Sequence, residues 1–256
     1  MDYNQNRQNF SSYTIIDSTP ASGAGSVAKK FMANVFMWMF LALAISTLSA
    51  YLFASNSSLL NLLYVQTERG MSMTGLGMLM TFAPLAFILV MSFGINRLSS
   101  AALTVIFLAY AACMGISLSI ILLIYTAGSV LTCFLSASVM FGLMAVLGYT
   151  TDKDLTSFGR ILMMGLIGIV IASLVNFFLN SSGLDYIISF IGVAVFTGLT
   201  AYDVQKLKRI GAGIEYGGNG VLADTSKLAI MGALSLYLDF INLFLMLLRL
   251  FGNRRD

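Results

Sequence analysis

The sequence predicts an all-α integral membrane protein, a bundle of seven hydrophobic helices. Three observations carry that prediction. The chain is 58% apolar and only 10% charged, with a mean hydropathy of +0.88, whereas a soluble domain holds about 25% charged residues. Seven apolar stretches follow one another, each near the length of about 20 residues that a bilayer core requires. The chain has 256 residues, enough for one such bundle and for no large soluble domain.

Composition also excludes chemistries. Histidine is absent, so no Ser-His or Cys-His pair, no HExxH zinc helix and no haem histidine can be assembled, and an enzyme is not expected. With the usual neutral-pH titrating side chain missing, any pH sensing falls to carboxylates. The net charge of +3 is too small to suggest nucleic acid as a partner. Cys113 and Cys133 lie in apolar stretches and read as small core residues.

Residues 1–28 are rich in Asn, Gln and Ser and read as a disordered cytoplasmic arm without a cleavable signal. A membrane domain covers 29–252, and 253–256 form a short tail. Lys29 and Lys30 open the first span, 31–54, and 55–71 form a semi-polar connection. The second span, 72–95, contains Pro84, which removes a backbone hydrogen bond and is a possible hinge; such prolines are also common in membrane helices without one. Asn96 and Arg97 turn the chain into the third span, 98–125, followed by the fourth, 130–148, and a charged loop, 149–160. The fifth span is 161–179 and the sixth about 186–204. Residues 205–227 form the longest internal polar segment, with five glycines in 211–220, and read as a mobile loop. Gly165, Gly168, Ala172, Ala194 and Gly198 have the spacing of close helix contacts inside a bundle.

The seventh stretch, 234–251, is apolar yet carries Asp239, flanked by Tyr237, Asn242 and Arg249. A carboxylate at mid-membrane costs roughly 2.5–3.5 kcal/mol on insertion scales, so such residues are rare and usually functional. Asp203, in TGLTAYDVQKLKR, is the other acid well inside a hydrophobic segment. Two carboxylates in a poorly hydrated site cannot both ionise cheaply, so a pair that meets shares a proton, or binds a cation such as calcium when both are ionised. Alternatively each caps a helix end or pairs with a nearby base, Lys206 in the case of Asp203. Arg97 ends the second span on the side where Asp203 lies and is a natural countercharge; it also fits a snorkelling, topology-setting arginine.

Charge bias places the N-terminus in the cytoplasm. Arg7, Lys29, Lys30, Arg97, Lys153, Arg160, Lys206, Lys208, Arg209 and Lys227 then face inward, ten of the fourteen basic residues. Arg249, Arg254 and Arg255 join them if the last stretch dips into the membrane and returns, which places the C-terminus in the cytoplasm too. Depth points the same way. Asp203 is one turn from Lys206, while Asp239 is twelve residues beyond Lys227, about 18 Å along a straight helix. A helix re-entrant or broken near Asp239 would bring the two acids level.

FMANVFMWMFLALAIS, YAACMGISLSIIL, TAYDVQKLKRI and ALSLYLDFINLFLMLLRLFG together resemble the Bax-inhibitor (TMBIM) family in its bacterial branch, over roughly residues 29–252. The resemblance implies six helices around a central seventh and a pH-sensitive calcium leak in a bacterial inner membrane. It implies that Asp203 and Asp239 are the paired sensor acids and that Arg97, counted back from MGIS without a gap, closes the pore. Where some bacterial members carry a glutamate in the second helix, this register places Ala86. The expected function is a calcium leak with Asp203 and Asp239 as a proton switch and tentative calcium ligands, locked by Arg97. Calcium and protons are its ligands, the bilayer its surroundings, and no cofactor is expected. A proton-coupled secondary transporter and a non-conducting regulator that binds other membrane proteins are the rival readings.

Overall fold

Without water to satisfy them, backbone amides inside a bilayer must bond to their own segment, so each apolar stretch has only the helix open to it. The computed structural model of the protein describes residues 26–67, 70–216 and 222–255. Most of the expected N-terminal arm lies outside the described residues, as do three of the glycines read as a mobile loop, Gly217, Gly218 and Gly220. The elements in order are α1 (Ser26–Ser55), α2 (Ser57–Leu63), β1 (Tyr64–Thr67), β2 (Gly70–Met73), α3 (Gly75–Gly94), α4 (Ser100–Ile124), α5 (Ala127–Thr150), α6 (Thr156–Leu179), α7 (Ser182–Tyr216) and α8 (Leu222–Phe251). All but α2 among the helices are long and apolar enough to cross a membrane, giving seven spans and an integral membrane protein.

Helix boundaries follow local chemistry. Thr74, Ser99 and Thr126 cap α3, α4 and α5 by accepting from the amides of Gly77, Ala102 and Ser129. Asn180, at φ 49°, ends α6 in the left-handed conformation that Asn tolerates. The connection after α1, expected only as a semi-polar link, folds into α2 and an antiparallel hairpin with Tyr64 opposite Met73. Thr74 ties that hairpin down by donating to the Leu62 carbonyl at 2.6 Å.

Burial ranks the spans. In the most apolar 18-residue window, 72% of α8 is buried and 56% of α7, against no more than 33% of any other. The last helix is therefore central. It packs chiefly on α7, α1, α5 and α4, while α3 lies outside on α4 and α6 outside on α7. The six outer helices thus form an inner wall of four and two outriders. Two glycines set the closest approaches. A Cβ at Gly115 of α4 would collide with the Ser46 backbone of α1, and one at Gly148 of α5 with the Ala201 backbone of α7. Of the small residues read as interfaces, Gly165 and Gly198 sit at the α6–α7 contact, against Val195 and Leu162, while Gly168 faces open space. Cys133 is a core residue, its Sγ 3.7 Å from the Leu247 carbonyl.

The break or re-entry near Asp239 is not formed. α8 is one helix of 30 residues, and between Ala233 and Phe251 it has neither Gly nor Pro to interrupt it. The segment after it lies across the bundle from the start of α1. Thr126 N donates to the Asn253 carbonyl at 3.0 Å, and Arg255 N to that of Ile124 at 2.7 Å. The first turns of α1 instead adjoin Gly211 of α7 and Tyr149 of α5. The two ends of the described chain are on opposite faces, so a shared cytoplasmic side is corrected. Charge counting misled because Arg249 is met at the far face by Asp185, at 3.4 Å.

The levelling of the acids has a different cause. α7 continues to Tyr216 through most of the segment read as loop, because Val204, Leu207, Gly211 and Ile214 form a buried stripe at helical spacing. Its outer end is clamped to the α5–α6 turn. Gln205 accepts from Leu155 N at 2.9 Å and donates to the Lys153 carbonyl at 2.8 Å, and Arg209 reaches Asp154 at 2.6 Å.

Protease sites placed before residue 1 and after residue 256 are expected to be cut from opposite sides of sealed vesicles; cleavage of both from one side would overturn the seven-span topology. Gly148→Val is expected to destabilise the bundle by about 1–3 kcal/mol through overpacking against α7, read as a lower unfolding midpoint in detergent.

Candidate functional site

The site lies in the α7–α8 seam. Asp239 falls 17 residues into the central helix, and only 5% of its surface is exposed. Its Oδ2 has no hydrogen-bond partner among the described residues. Asp203 of α7 is half-buried, and its carboxyl interacts electrostatically with that of Asp239 and with Lys206 one turn along its own helix. The two acids therefore lie on neighbouring helices, within electrostatic reach of each other.

None of the polar residues flanking Asp239 serves it. The Tyr237 hydroxyl is 2.7 Å from that of Ser46, which donates to the Ala111 carbonyl at 2.7 Å. Asn242 donates to the carbonyl of Leu238 on its own helix at 2.8 Å. Arg249 is ten residues away in the ion pair with Asp185. The next residue on α8, Phe240, packs edge-to-face on Phe134 and Phe141 of α5, with centroids 5.3 and 5.7 Å away. A buried carboxylate oxygen without a donor is costly unless the group is neutral or meets a cation or water. This arrangement can hold a proton or a cation, and it does not resemble a structural ion pair.

Two further buried hydroxyls, of Tyr110 and Thr197, also lack partners among the described residues. Tyr110 stacks edge-on against Tyr237 at 5.4 Å, so a polar cluster from α1, α4 and α8 adjoins the acid-bearing helix. The sequence reading missed the Ser46–Tyr237 bond, which spans 191 residues and leaves no local pattern. Among the described residues no group of three or more His, Cys, Asp or Glu converges. Two carboxylates by themselves fall short of the 6–8 oxygen ligands of a closed calcium shell.

Arg97 is placed elsewhere. It is exposed in the α3–α4 turn and forms no ion pair with either acid among the described residues. Lys227, on the first turns of α8, donates to the Ile95 carbonyl of that turn at 3.3 Å, which sets Arg97 near the level of Lys227 and not of Asp239. Pro84 is a buried residue inside α3, and Ala86 lies on that helix's exposed face.

Outside the membrane-spanning segments, one carboxyl is strongly perturbed. A hydrogen bond from the Thr156 hydroxyl, then one from Arg209, hold Asp154 well below the usual carboxylate range. Its contribution to stability is present above that range and is lost only as pH falls through the depressed value. The clamp on α7 therefore stays charged at any pH near neutrality.

The chain matches the profile of the family described as "Inhibitor of apoptosis-promoting Bax1" over residues 28–256. It is 47% identical over 228 residues to the inner membrane protein YbhL of Escherichia coli K12, covering 88% of this chain and 92% of that protein. An uncharacterized protein of Rickettsia prowazekii is 42% identical, over 89% of this chain and 91% of its own length. Another, from Borreliella burgdorferi, is 41% identical over 94% of this chain and its full length.

Replacing Asp239 by Asn tests whether this carboxyl is structural. Its unfolding midpoint at about pH 8 is expected to be unchanged or raised, since a partnerless buried carboxyl is removed. Breaking a true buried pair would instead cost about 3–5 kcal/mol, and a loss of that size would overturn the reading.

Proposed function

The chain belongs to the Bax inhibitor family of membrane proteins, and from that membership and its buried acid pair we propose that it is a pH-sensitive calcium leak. The observation that carries the reading is Asp239: a carboxyl 5% exposed on the central helix, one oxygen without a partner, coupled to a second acid on the neighbouring helix. With both acids ionised, the pair offers calcium hard oxygen ligands. With one proton shared, its charge falls and protons and calcium compete for the same oxygens. Lys206 is the cation that acts on Asp203 from its own helix.

Arg97 locks the closed state in this proposal by moving toward the acids on the α3–α4 turn, with Pro84 as the hinge. What supports that motion is packing: α3 rests chiefly on α4 and only 17% of its most apolar window is buried, the kind of segment that opens at low cost. Ala86 leaves α3 without the acid that some bacterial relatives carry there, so selectivity rests on Asp203 and Asp239. Lys29, Lys30, Arg97, Lys153, Arg160, Lys206, Lys208, Arg209 and Lys227 all gather at the end where α1 begins, which supports a cytoplasmic N-terminus. The inner-membrane description of the E. coli relative supports the same membrane here.

The test is calcium flux into liposomes holding the purified protein, stepped from about pH 8 to pH 6. Flux is expected to vary, by at most about tenfold per pH unit for a single shared proton. Asp203→Asn and Asp239→Asn are each expected to flatten that dependence. Unchanged pH dependence in both variants would sink the switch. No flux from folded protein at any pH would sink the leak in favour of a regulator, and saturable counterflow of a solute would sink it in favour of a transporter.

A further inference from the structure

A furrow open to the lipid runs between α1 and α5 with α8 as its floor. Three adjoining cavities of about 320, 750 and 390 Å³ compose it. Phe36 and Ala145 are common to the first and second; Leu43, Thr47, Tyr51 and Phe134 are common to the second and third. Along α1 it extends from Lys29 to Tyr51, which at 1.5 Å per residue is about 33 Å, the whole hydrocarbon thickness of about 30 Å. Its walls are almost wholly apolar and contain no acidic residue.

The chemistry changes at one mouth. Lys29 lines the first cavity beside Tyr149 and Thr150. The Lys208 ammonium does not line this cavity but lies against its Tyr149 wall, donating to the Tyr149 carbonyl at 2.7 Å and standing 5.2 Å from the centre of its ring. Neither lysine is in an ion pair among the described residues. One cation, Lys29, therefore lines the mouth of the apolar slot, and a second, Lys208, stands on its Tyr149 wall. The second cavity has the largest volume of the three, and there a Cβ on Gly142 would meet nothing within 4 Å.

We propose that this furrow binds an anionic phospholipid of the leaflet at the α1 N-terminal end. Its phosphate sits between Lys29 and Lys208, and an acyl chain lies between α1 and α5 along Phe36, Met39 and Gly142. A chain crossing one leaflet, about 15 Å deep, reaches the second cavity, whose floor includes Phe240, the residue after Asp239. Charge complementarity selects the headgroup: a zwitterionic lipid would bring its own cation against the two ammonium groups. This site is independent of whether the acid pair conducts calcium.

Native mass spectrometry of the full chain, released from detergent containing either palmitoyl-oleoyl phosphatidylglycerol or palmitoyl-oleoyl phosphatidylcholine, tests it. One phosphatidylglycerol is expected to be retained, about thirtyfold over phosphatidylcholine, the preference two lysines supply at about 1 kcal/mol each near an anionic group. Lys29→Gln is expected to lower that preference by about fivefold. Gly142→Leu, whose Cβ would meet nothing within 4 Å and whose side chain would occupy the slot, is expected to abolish retention of either lipid at an unchanged unfolding midpoint. Equal retention of the two lipids by the parent, or parental retention by a folded Gly142→Leu, would overturn the site. Should Gly142→Leu unfold, an unaltered preference in Lys29→Gln would overturn it instead.

Discussion

A carboxyl group at the middle of a membrane helix cannot face lipid, and that one constraint at Asp239 orders the bundle. The helix that carries it must be surrounded on all sides, and α8 is the most buried span. Once central, α8 can use no side for solvation, so three polar residues around the acid take protein partners, on its own backbone, on α1 or at the far end. Asn242 turns to its own backbone, Tyr237 to Ser46, and Arg249 to Asp185 near the far face. Asp239 is the exception left over. In hydrocarbon an unsatisfied polar atom is costly, and retaining one beside a second acid is the feature on which the proposed exchange of a proton or a cation rests.

The surrounding wall is shaped to keep α7 against that helix. Gly148 lets α5 approach the α7 backbone at Ala201, two residues from Asp203, and Tyr202 packs over Gly159 of α6. Beyond the membrane α7 is held by Gln205, Lys208 and Arg209 to the α5–α6 turn. These contacts explain how two antiparallel helices bring residues 36 apart in sequence into electrostatic reach. The long rigid extension of α7 moves the reversal of the chain outward, and both acids then fall within the seam while both helices stay straight.

What could be read from the amino acids was what hydropathy and rarity encode. Seven spans, the central last stretch and the singular status of Asp203 and Asp239 follow from composition, from the resemblance and from the cost of charge in lipid. The misreadings arose where charge or glycine content was taken without its tertiary partner. Arg249 looked like a cytoplasmic charge because Asp185 lies 64 residues away. The stretch after Asp203 looked like a loop because Gly211 and Gly213 weigh against helix, although the stripe Val204, Leu207, Gly211 and Ile214 was present to be found. The α1–α5 furrow was not legible at all. A groove is the absence of a contact, and hydrophobic residues lining one have the same pattern as residues facing lipid.

Anchoring in this bundle is divided unevenly between the two sides of the acid pair. On the α7 side the clamp includes Asp154, whose carboxyl stays ionised far below neutrality, so a proton that binds the buried pair leaves the outer anchoring of α7 intact. On the other side α3 leans on α4 with little of its surface covered, and its connection to α8 includes the Lys227 contact with the Ile95 carbonyl. A change of charge at the seam therefore meets an α7 that three side chains anchor to the end of α5 and the α5–α6 turn, whereas α3 touches chiefly α4, so a displacement of α3 would disturb fewer packed contacts than one of α7.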